Sequence, residues 1–246
     1  MIKKIILKYN YFVLIFLVLL LAGCTLPKAQ VTPEGKLNIF SPAFPSKNPL
    51  LNSEWLIDTS ASTNFSQEFT QTIVKGESLA LNLLNHKNPY ILVKRVDANL
   101  LATPFFSWNW KIPVFENLDH PVCILIGFYG GQSDTKLWTD KSIAYGDTGY
   151  PPYDRVLKII WHRNALLRGT SQFNGRIPEY IARGGLENVD KWYSENINLE
   201  SIYSKIWPKD SIVNTNIVFI GFWVKSSKSY QNKETIASFN KIILSK

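Results

Sequence analysis

Apolar and polar residues along this chain follow the two-residue period of β-strands. Residues 105–112 alternate strictly, which places alternate side chains on opposite faces of one strand. The apolar set is Phe106, Trp108, Trp110 and Ile112, and the polar set is Ser107, Asn109 and Lys111. One face of this strand is therefore expected to be core, and the other is expected to be wet or functional.

Two further runs, 122–129 and 217–224, are apolar at nearly every position. Such runs are typical of central strands covered on both faces. Other runs rich in β-branched and aromatic residues predict strands at 67–75, 78–84, 90–96, 155–161, 179–183 and 236–244. Gly76-Glu77 is expected to form the turn between the first two of these.

A single helix is predicted at 199–207, with Asn198 as its N-cap and Pro208 ending it. Many short strands with so little helix favour a mainly β fold, a β-sandwich of jelly-roll type. No internal repeat and no second domain is indicated.

The first 23 residues have the organisation of a secretory leader. Lys3, Lys4 and Lys8 precede an apolar run at 11–22, which is shorter than a membrane-spanning helix requires. The run ends in Leu21-Ala22-Gly23-Cys24, which resembles the bacterial lipobox. That resemblance implies cleavage before Cys24 and lipid on its thiol, whereas an uncleaved amphiphilic anchor is the alternative.

The lipobox resemblance also implies a location in the bacterial cell envelope. Thr25 rather than Asp follows the cysteine, which implies the outer membrane if the cell has two membranes. Residues 24–53 are rich in Pro, Ser, Asn and Lys and predict a lipidated tether, followed by a single domain at 54–246. The membrane, bound through the lipid on Cys24, is therefore an expected partner.

Charge and cysteine content narrow the functional classes. After loss of the leader the net charge is +5, because three of the 27 basic residues leave and all 19 acidic residues stay. These charges are scattered, so nucleic acid is not an expected partner. Cys123 lies in an apolar run and is expected to be buried and inert, without a disulfide partner once Cys24 is lipidated.

Three blocks together resemble the bacterial family catalogued as domain of unknown function 3047. They are residues 104–112, residues 155–161 and Trp192-Tyr193-Ser194-Glu195-Asn196-Ile197-Asn198, and the resemblance extends over about 54–244. That family continues with an Asp-rich loop, whereas residues 225–232 here contain no carboxylate. If the loop binds a cation in relatives, this chain has lost it; the family's activity is itself uncharacterised.

Candidate chemistry is sparse. The sequence contains no nucleophile elbow, dinucleotide fingerprint or Walker loop. His86, His120 and His162 have no metal-ligand spacing, so neither a metal nor another cofactor is expected. An enzyme acting on carbohydrate would need a pair of carboxylates across a cleft. The candidates are Asp147, Asp154, Glu179 and Glu195.

The loop at 145–155 is the segment most typical of a binding site, with Tyr150, Tyr153 and Arg155 among its residues. Aromatic rings can stack on sugars, although the same composition suits a rigid connector. His162, at a strand end, is a further candidate ligand contact. The first hypothesis is a saccharide- or polymer-binding module using this loop with Asn109 and Lys111; a carbohydrate-active enzyme and a protein-interaction module are the alternatives.

Overall fold

The computed structural model describes residues 27–40, 54–59, 69–74, 78–84, 88–131, 149–173, 175 and 177–225 together with 234–246. These residues form fourteen strands and one α-helix, α1 (Leu199–Ile206). The strands are β1 (Ala29–Gln30), β2 (Lys36–Asn38), β3 (Trp55–Thr59), β4 (Phe69–Val74), β5 (Ser78–Leu84), β6 (Tyr90–Asn99), β7 (Phe105–Lys111), β8 (Val122–Tyr129), β9 (Arg155–His162), β10 (Ser171–Phe173), β11 (Pro178–Gly184), β12 (Trp192–Asn198), β13 (Asn216–Val224) and β14 (Thr235–Ser245).

The described strands form two sheets. The larger has the order β1-β6-β13-β8-β9-β11-β10, with β3 also paired to β6. The smaller has the order β12-β7-β14-β5-β4, with β2 also paired to β14. Within these orders, β6-β13-β8-β9 and β5-β14-β7-β12 are the two four-stranded halves of a jelly roll, because the chain crosses between sheets at β5–β6, β6–β7, β7–β8, β12–β13 and β13–β14. The structure therefore confirms the predicted mainly β jelly-roll sandwich.

The core lies between the two sheets and is dominated by aromatic rings. Trp110 of the smaller sheet contacts Trp161 of the larger, with ring centroids 5.2 Å apart, and Phe222 meets Phe239 at 5.1 Å. Phe106, Trp108, Trp110 and Ile112 are all buried, which confirms the inward face predicted for this strand.

The larger sheet has a second apolar cluster on its outer face. It includes Val93, Cys123, Leu125 and Phe219, all of them buried. Phe219 lies across Gly127 and leaves no room there for a Cβ. Cys123 is a free cysteine, and burial raises the pKa of its thiol to about 11. This confirms the expectation of a buried thiol, and the raised pKa suppresses the reactive thiolate.

The central positions of two strands and the helix cap are confirmed. β8 lies between β13 and β9, and β13 lies between β6 and β8. The Asn198 side chain accepts a hydrogen bond from the Ser201 N–H at 2.9 Å, as an N-cap does. Among the described residues, no helix is both long and apolar enough to cross a membrane.

Two short strands lie within the segment predicted as a tether. β1 pairs in parallel with Val96 and Asp97 of β6, and β2 pairs with the end of β14. Ala29, Leu37 and Ile39 are buried in the core between the sheets. The sandwich thus takes in residues of the 24–53 segment, because alternate apolar side chains among its polar ones reach the core.

Candidate functional site

An accessible polar surface lies on the outer side of β7 and β12. The antiparallel register of these strands sets three pairs of residues opposite each other across the outer face. The pairs are Ser107 with Asn196, Asn109 with Ser194, and Lys111 with Trp192. We call these six residues the polar face.

The side chains of the polar face are open to a ligand. Ser194, Asn196 and Trp192 are exposed, the last at 38%, and the three β7 residues are partly exposed. In the part of the chain that the structure describes, none of these six side chains makes a hydrogen bond or an ion pair. Their donors and acceptors are therefore free to serve a partner.

The strand that forms the edge of this surface is held from its inner side by Glu195. This carboxylate is buried, and its Oε1 accepts hydrogen bonds from the Arg183 Nε and, at 3.3 Å, from the Trp110 Nε1. Its Oε2 accepts one from the Arg168 Nη2 at 2.9 Å. Because Arg183 belongs to β11, this cluster ties β12 to the opposite sheet and supports the polar face from behind.

On its other side the polar face continues onto β14. Asn240 lies opposite Asn109, and Ser238 lies opposite Lys111. Both are buried, and the Ser238 hydroxyl donates to the Asn82 Oδ1 at 2.7 Å. Access to the polar face is consequently greatest over β7 and β12.

The predicted catalytic carboxylates lie in separate environments. Asp154 accepts a hydrogen bond from the Gly130 N–H at 2.9 Å. Glu179 lies on the outer face of the larger sheet, where it pairs with the Lys158 Nζ at 3.3 Å. Glu195 lies between the sheets, as described above, and Asp147 is outside the described residues. Glu179 thus faces away from the space between the sheets that contains the Glu195 carboxylate.

Tyr150 and Tyr153 pack against the outer face of the larger sheet. Both rings meet Phe219 edge-on, at 5.4 and 5.3 Å between centroids. The Tyr150 hydroxyl donates to the Asp58 Oδ2 at 3.2 Å, and burial together with this carboxylate raises the pKa of Tyr150 well above its ordinary value. These contacts favour the rigid-connector interpretation of the loop.

The other two predicted ligand residues also have internal contacts. Arg155 donates to both oxygens of Asp210, at 2.9 and 3.1 Å, and Asp210 accepts a third bond from Tyr203 at 2.8 Å. The His162 Nδ1 accepts a hydrogen bond from the Asn164 N–H at 2.9 Å, which leaves the proton on Nε2. Of the predicted ligand contacts, Asn109 and Lys111 are the two that lie on the polar face.

Trp192, Ser194 and Asn196 were not predicted as site residues. Their segment does alternate, with Tyr193, Glu195 and Ile197 facing inward. The alternation is hard to recognise in the sequence because Glu195 occupies its central inward position, and a carboxylate ordinarily faces water.

The described residues contain no group of three or more histidine, cysteine, aspartate or glutamate side chains that could hold a metal ion.

Comparison with solved structures finds matches of low similarity. A family 11 carbohydrate-binding module from Clostridium thermocellum, in complex with a β-1,3-1,4-mixed-linked tetrasaccharide, is 10% identical, with 87% of this chain and 96% of that chain covered and a TM-score of 0.35. A family 12 xyloglucanase from Bacillus licheniformis is 9% identical, with 89% and 94% covered and a TM-score of 0.35. The K1 cleaved adhesin domain of Lys-gingipain from Porphyromonas gingivalis W83 is 8% identical, with 78% and 90% covered and a TM-score of 0.34.

These identities and TM-scores are too low to transfer a ligand or an activity to this chain. No family model matches the chain, and no curated protein matches it either.

Proposed function

We propose that this protein is a lipid-anchored envelope protein that binds a saccharide or an envelope polymer through its polar face. The observation that carries the proposal is the two facing rows of amide, hydroxyl and ammonium groups on β7 and β12, which no described protein group satisfies. A ligand can bond to them without displacing an internal partner.

The chemistry of these groups suits a polyhydroxylated ligand. Asn109 and Asn196 each offer both a donor and an acceptor, as do the hydroxyls of Ser107 and Ser194, and sugar hydroxyls need both. The exposed indole of Trp192, at the end of the rows, offers an apolar surface and an N–H donor. Since alternate residues of a strand are about 6.6 Å apart, the three pairs span about 13 Å, which favours an extended chain over a single small molecule.

The binding proposal predicts specific losses on mutation. The double variant Asn109→Ala with Ser194→Ala should weaken binding to a saccharide fragment about thirtyfold, because each of the two lost hydrogen bonds contributes about 1 kcal/mol. Trp192→Ala should weaken it by a comparable factor. The measurement is isothermal titration with envelope and plant polysaccharide fragments, alongside thermal unfolding of each variant.

Asn214→Ala is the matched control, because Asn214 is exposed and lies in the loop before β13, away from the polar face. It should bind as the unaltered protein does. The proposal fails if the polar-face variants retain full affinity for a fragment that the unaltered protein binds, or if no fragment binds.

The anchoring part of the proposal rests on the lipobox sequence ending in Cys24. The intact mass of the mature protein should carry diacylglycerol on that cysteine, and Cys24→Ser should leave an unprocessed precursor in the cell. Normal processing of the Cys24→Ser variant would contradict lipid anchoring but would not affect the proposal that the polar face binds a ligand.

A further inference from the structure

The outer surface of the smaller sheet extends beyond the polar face onto β14 and β2. β2 pairs with the last residues of β14, where Asn38 lies opposite Ile243 and Lys36 lies opposite Ser245. Leu37, between the two β2 residues, is buried in the core, so Lys36 and Asn38 face outward, and both are exposed. The outer surface therefore crosses four strands, β12, β7, β14 and β2.

A β-bulge in β14 turns Lys241 onto this surface. The register of β14 against β7 shifts after Asn240, because residues 241 and 242 together oppose Trp108. Ile242 is fully buried in the core, whereas Lys241 is exposed. Without the bulge, the two-residue period of the strand would direct Lys241 inward, directly after the outward-facing Asn240.

The bulge also holds Lys241 in the left-handed backbone region, with φ at 49°. Residues with a Cβ rarely adopt this conformation, and glycine is the usual residue at the left-handed position of a bulge. Strained backbone of this kind is concentrated at functional sites. A lysine here lowers stability where glycine would not, which indicates a role for its ammonium group.

Three lysines are evenly spaced across the outer surface, and we call them the lysine row. Lys111 lies on β7, Lys241 lies on β14 opposite Trp108, and Lys36 lies on β2 at the level of Phe105. Each step in the row is three residues along the strands and one strand across. The Cα atoms of successive lysines are therefore about 11 Å apart.

The lysine row has few acidic neighbours. Glu195 is the one acidic residue in the sequences of β2, β7, β12 and β14, and its carboxylate faces the core. Neither Lys111 nor Lys241 forms an ion pair within the part of the chain that the structure describes. The middle of the outer surface is consequently positive.

Two acidic side chains flank the outer surface beyond the strand ends. A hydrogen bond from Thr32 and, to a smaller degree, the charge of Lys36 lower the pKa of Glu34, in the turn before β2. Asp190 is exposed in the turn before β12. These carboxylates offset part of the charge at the margins and leave that of Lys241 in place.

We propose that the ligand of the polar face is an acidic polysaccharide, a chain of sugars that bear carboxylate groups. The inference rests on the proposed binding function and names its ligand class. A chain lying along β7 presents hydroxyls to Ser194 and Asn196 on one side and carboxylates to Lys241 on the other. The step of the lysine row is close to the length of two linked sugar rings, which suits one carboxylate per disaccharide.

The test compares ligands that differ only in charge. Hyaluronan fragments, with one carboxylate per disaccharide, and polygalacturonate fragments are each titrated into the full chain beside their carboxyl-reduced forms. At least one carboxylated fragment should bind about tenfold more tightly than its reduced form at low salt, because several exposed ion pairs contribute. The difference should shrink as salt is added, since salt screens exposed charges.

Lys241→Gly separates the role of the ammonium group from a structural one. The variant should bind the carboxylated fragment about threefold more weakly and the reduced fragment equally well, because one exposed ion pair is lost. Its melting temperature should be no lower than that of the unaltered protein, because glycine adopts the left-handed conformation readily. Lys209→Gln, at an exposed position in the loop after α1, is the matched control and should change neither affinity.

Each remaining outcome overturns the inference. Equal affinity for the carboxylated and reduced fragments, or unchanged binding by Lys241→Gly, would exclude an acidic ligand on the lysine row and leave saccharide binding by the polar face intact. Tighter binding of poly(glycerol phosphate) than of either carboxylated polysaccharide would replace the ligand with a phosphate polymer. Binding of none of these fragments would defeat both this inference and the proposed function.

Discussion

Glu195 is an acidic residue at an inward position of β12, where the register sets it opposite the buried Trp108. Two guanidinium groups and an indole N–H surround its oxygens, so desolvation of the carboxylate is offset by charge-assisted hydrogen bonds. The side chain of Arg183 is largely buried, whereas that of Arg168 is half exposed. Most of the stabilisation therefore comes from Arg183 and Trp110.

Glu195→Ala should lower the free energy of unfolding by about 3 kcal/mol, because it leaves the buried Arg183 guanidinium without its counter-charge. Urea unfolding measures this directly. The exposed Glu116 offers a matched control, and Glu116→Ala should stay within about 0.5 kcal/mol of the unaltered protein. A Glu195→Ala protein as stable as its control would show that the cluster contributes nothing net.

His120 is expected to make the free energy of unfolding depend on pH. It is buried, its Nδ1 accepts from the Val122 N–H at 3.1 Å, and burial lowers its pKa to about 3. In the unfolded chain the imidazole titrates near pH 6.5, so below that pH the unfolded state binds a proton that the folded state does not. The free energy of unfolding should therefore fall as the pH drops from about 6.5 towards 3, by up to about 1.4 kcal/mol per pH unit from this group.

His120→Gln removes the titrating group and should flatten the pH dependence by that amount. Comparison of the two proteins by urea unfolding across this pH range cancels the carboxylates, which they share. Parallel pH profiles would show that His120 takes up its proton without unfolding.

At the scale of elements, β1 and β2 show where residue composition misleads. Prolines and lysines around them predict a tether, because these residues are frequent in linkers. Yet Ala29, Leu37 and Ile39 are spaced two apart or by multiples of two. The C-terminal ends of β6 and β14, which extend beyond their pairing with β3 and β5, bind the strands that carry these residues. A segment with such a weak pattern forms a strand only if an unpaired part of a strand elsewhere in the chain can bind it. The sequence of the segment itself does not contain that information.

The same feature gives a prediction at this scale. Leu37→Ala should lower the free energy of unfolding by about 2–4 kcal/mol, because it empties a buried position between the sheets. The neighbouring Lys36→Ala, which changes an exposed position of the same strand, should have little effect. Equal, small changes in both variants would mean that β2 adds no stability to the sandwich.

At the scale of the whole molecule, the sequence predicts burial best where the alternation within a single strand determines which side chains face the core. The alternation at 105–112 is enough to separate the buried Trp108 and Trp110 from the polar Asn109 and Lys111, so half of the polar face is predictable. The other half is on β12, where the inward-facing Glu195 interrupts the alternation of apolar and polar residues. The packing of Tyr150 and Tyr153 cannot be predicted from their own segment of the sequence. It depends on Phe219, whose ring fits over Gly127 and contacts both tyrosine rings.

The row of indoles in the core also has an optical consequence. Trp108 lies 5.5 Å from Trp110, and Trp110 lies 5.2 Å from Trp161, which is close enough for their electronic transitions to couple. Circular dichroism of the native protein should then carry an exciton signal that vanishes on unfolding, while Trp192, on the surface, stays outside this coupled group. The loss of this circular dichroism signal can thus report the unfolding of the core between the sheets.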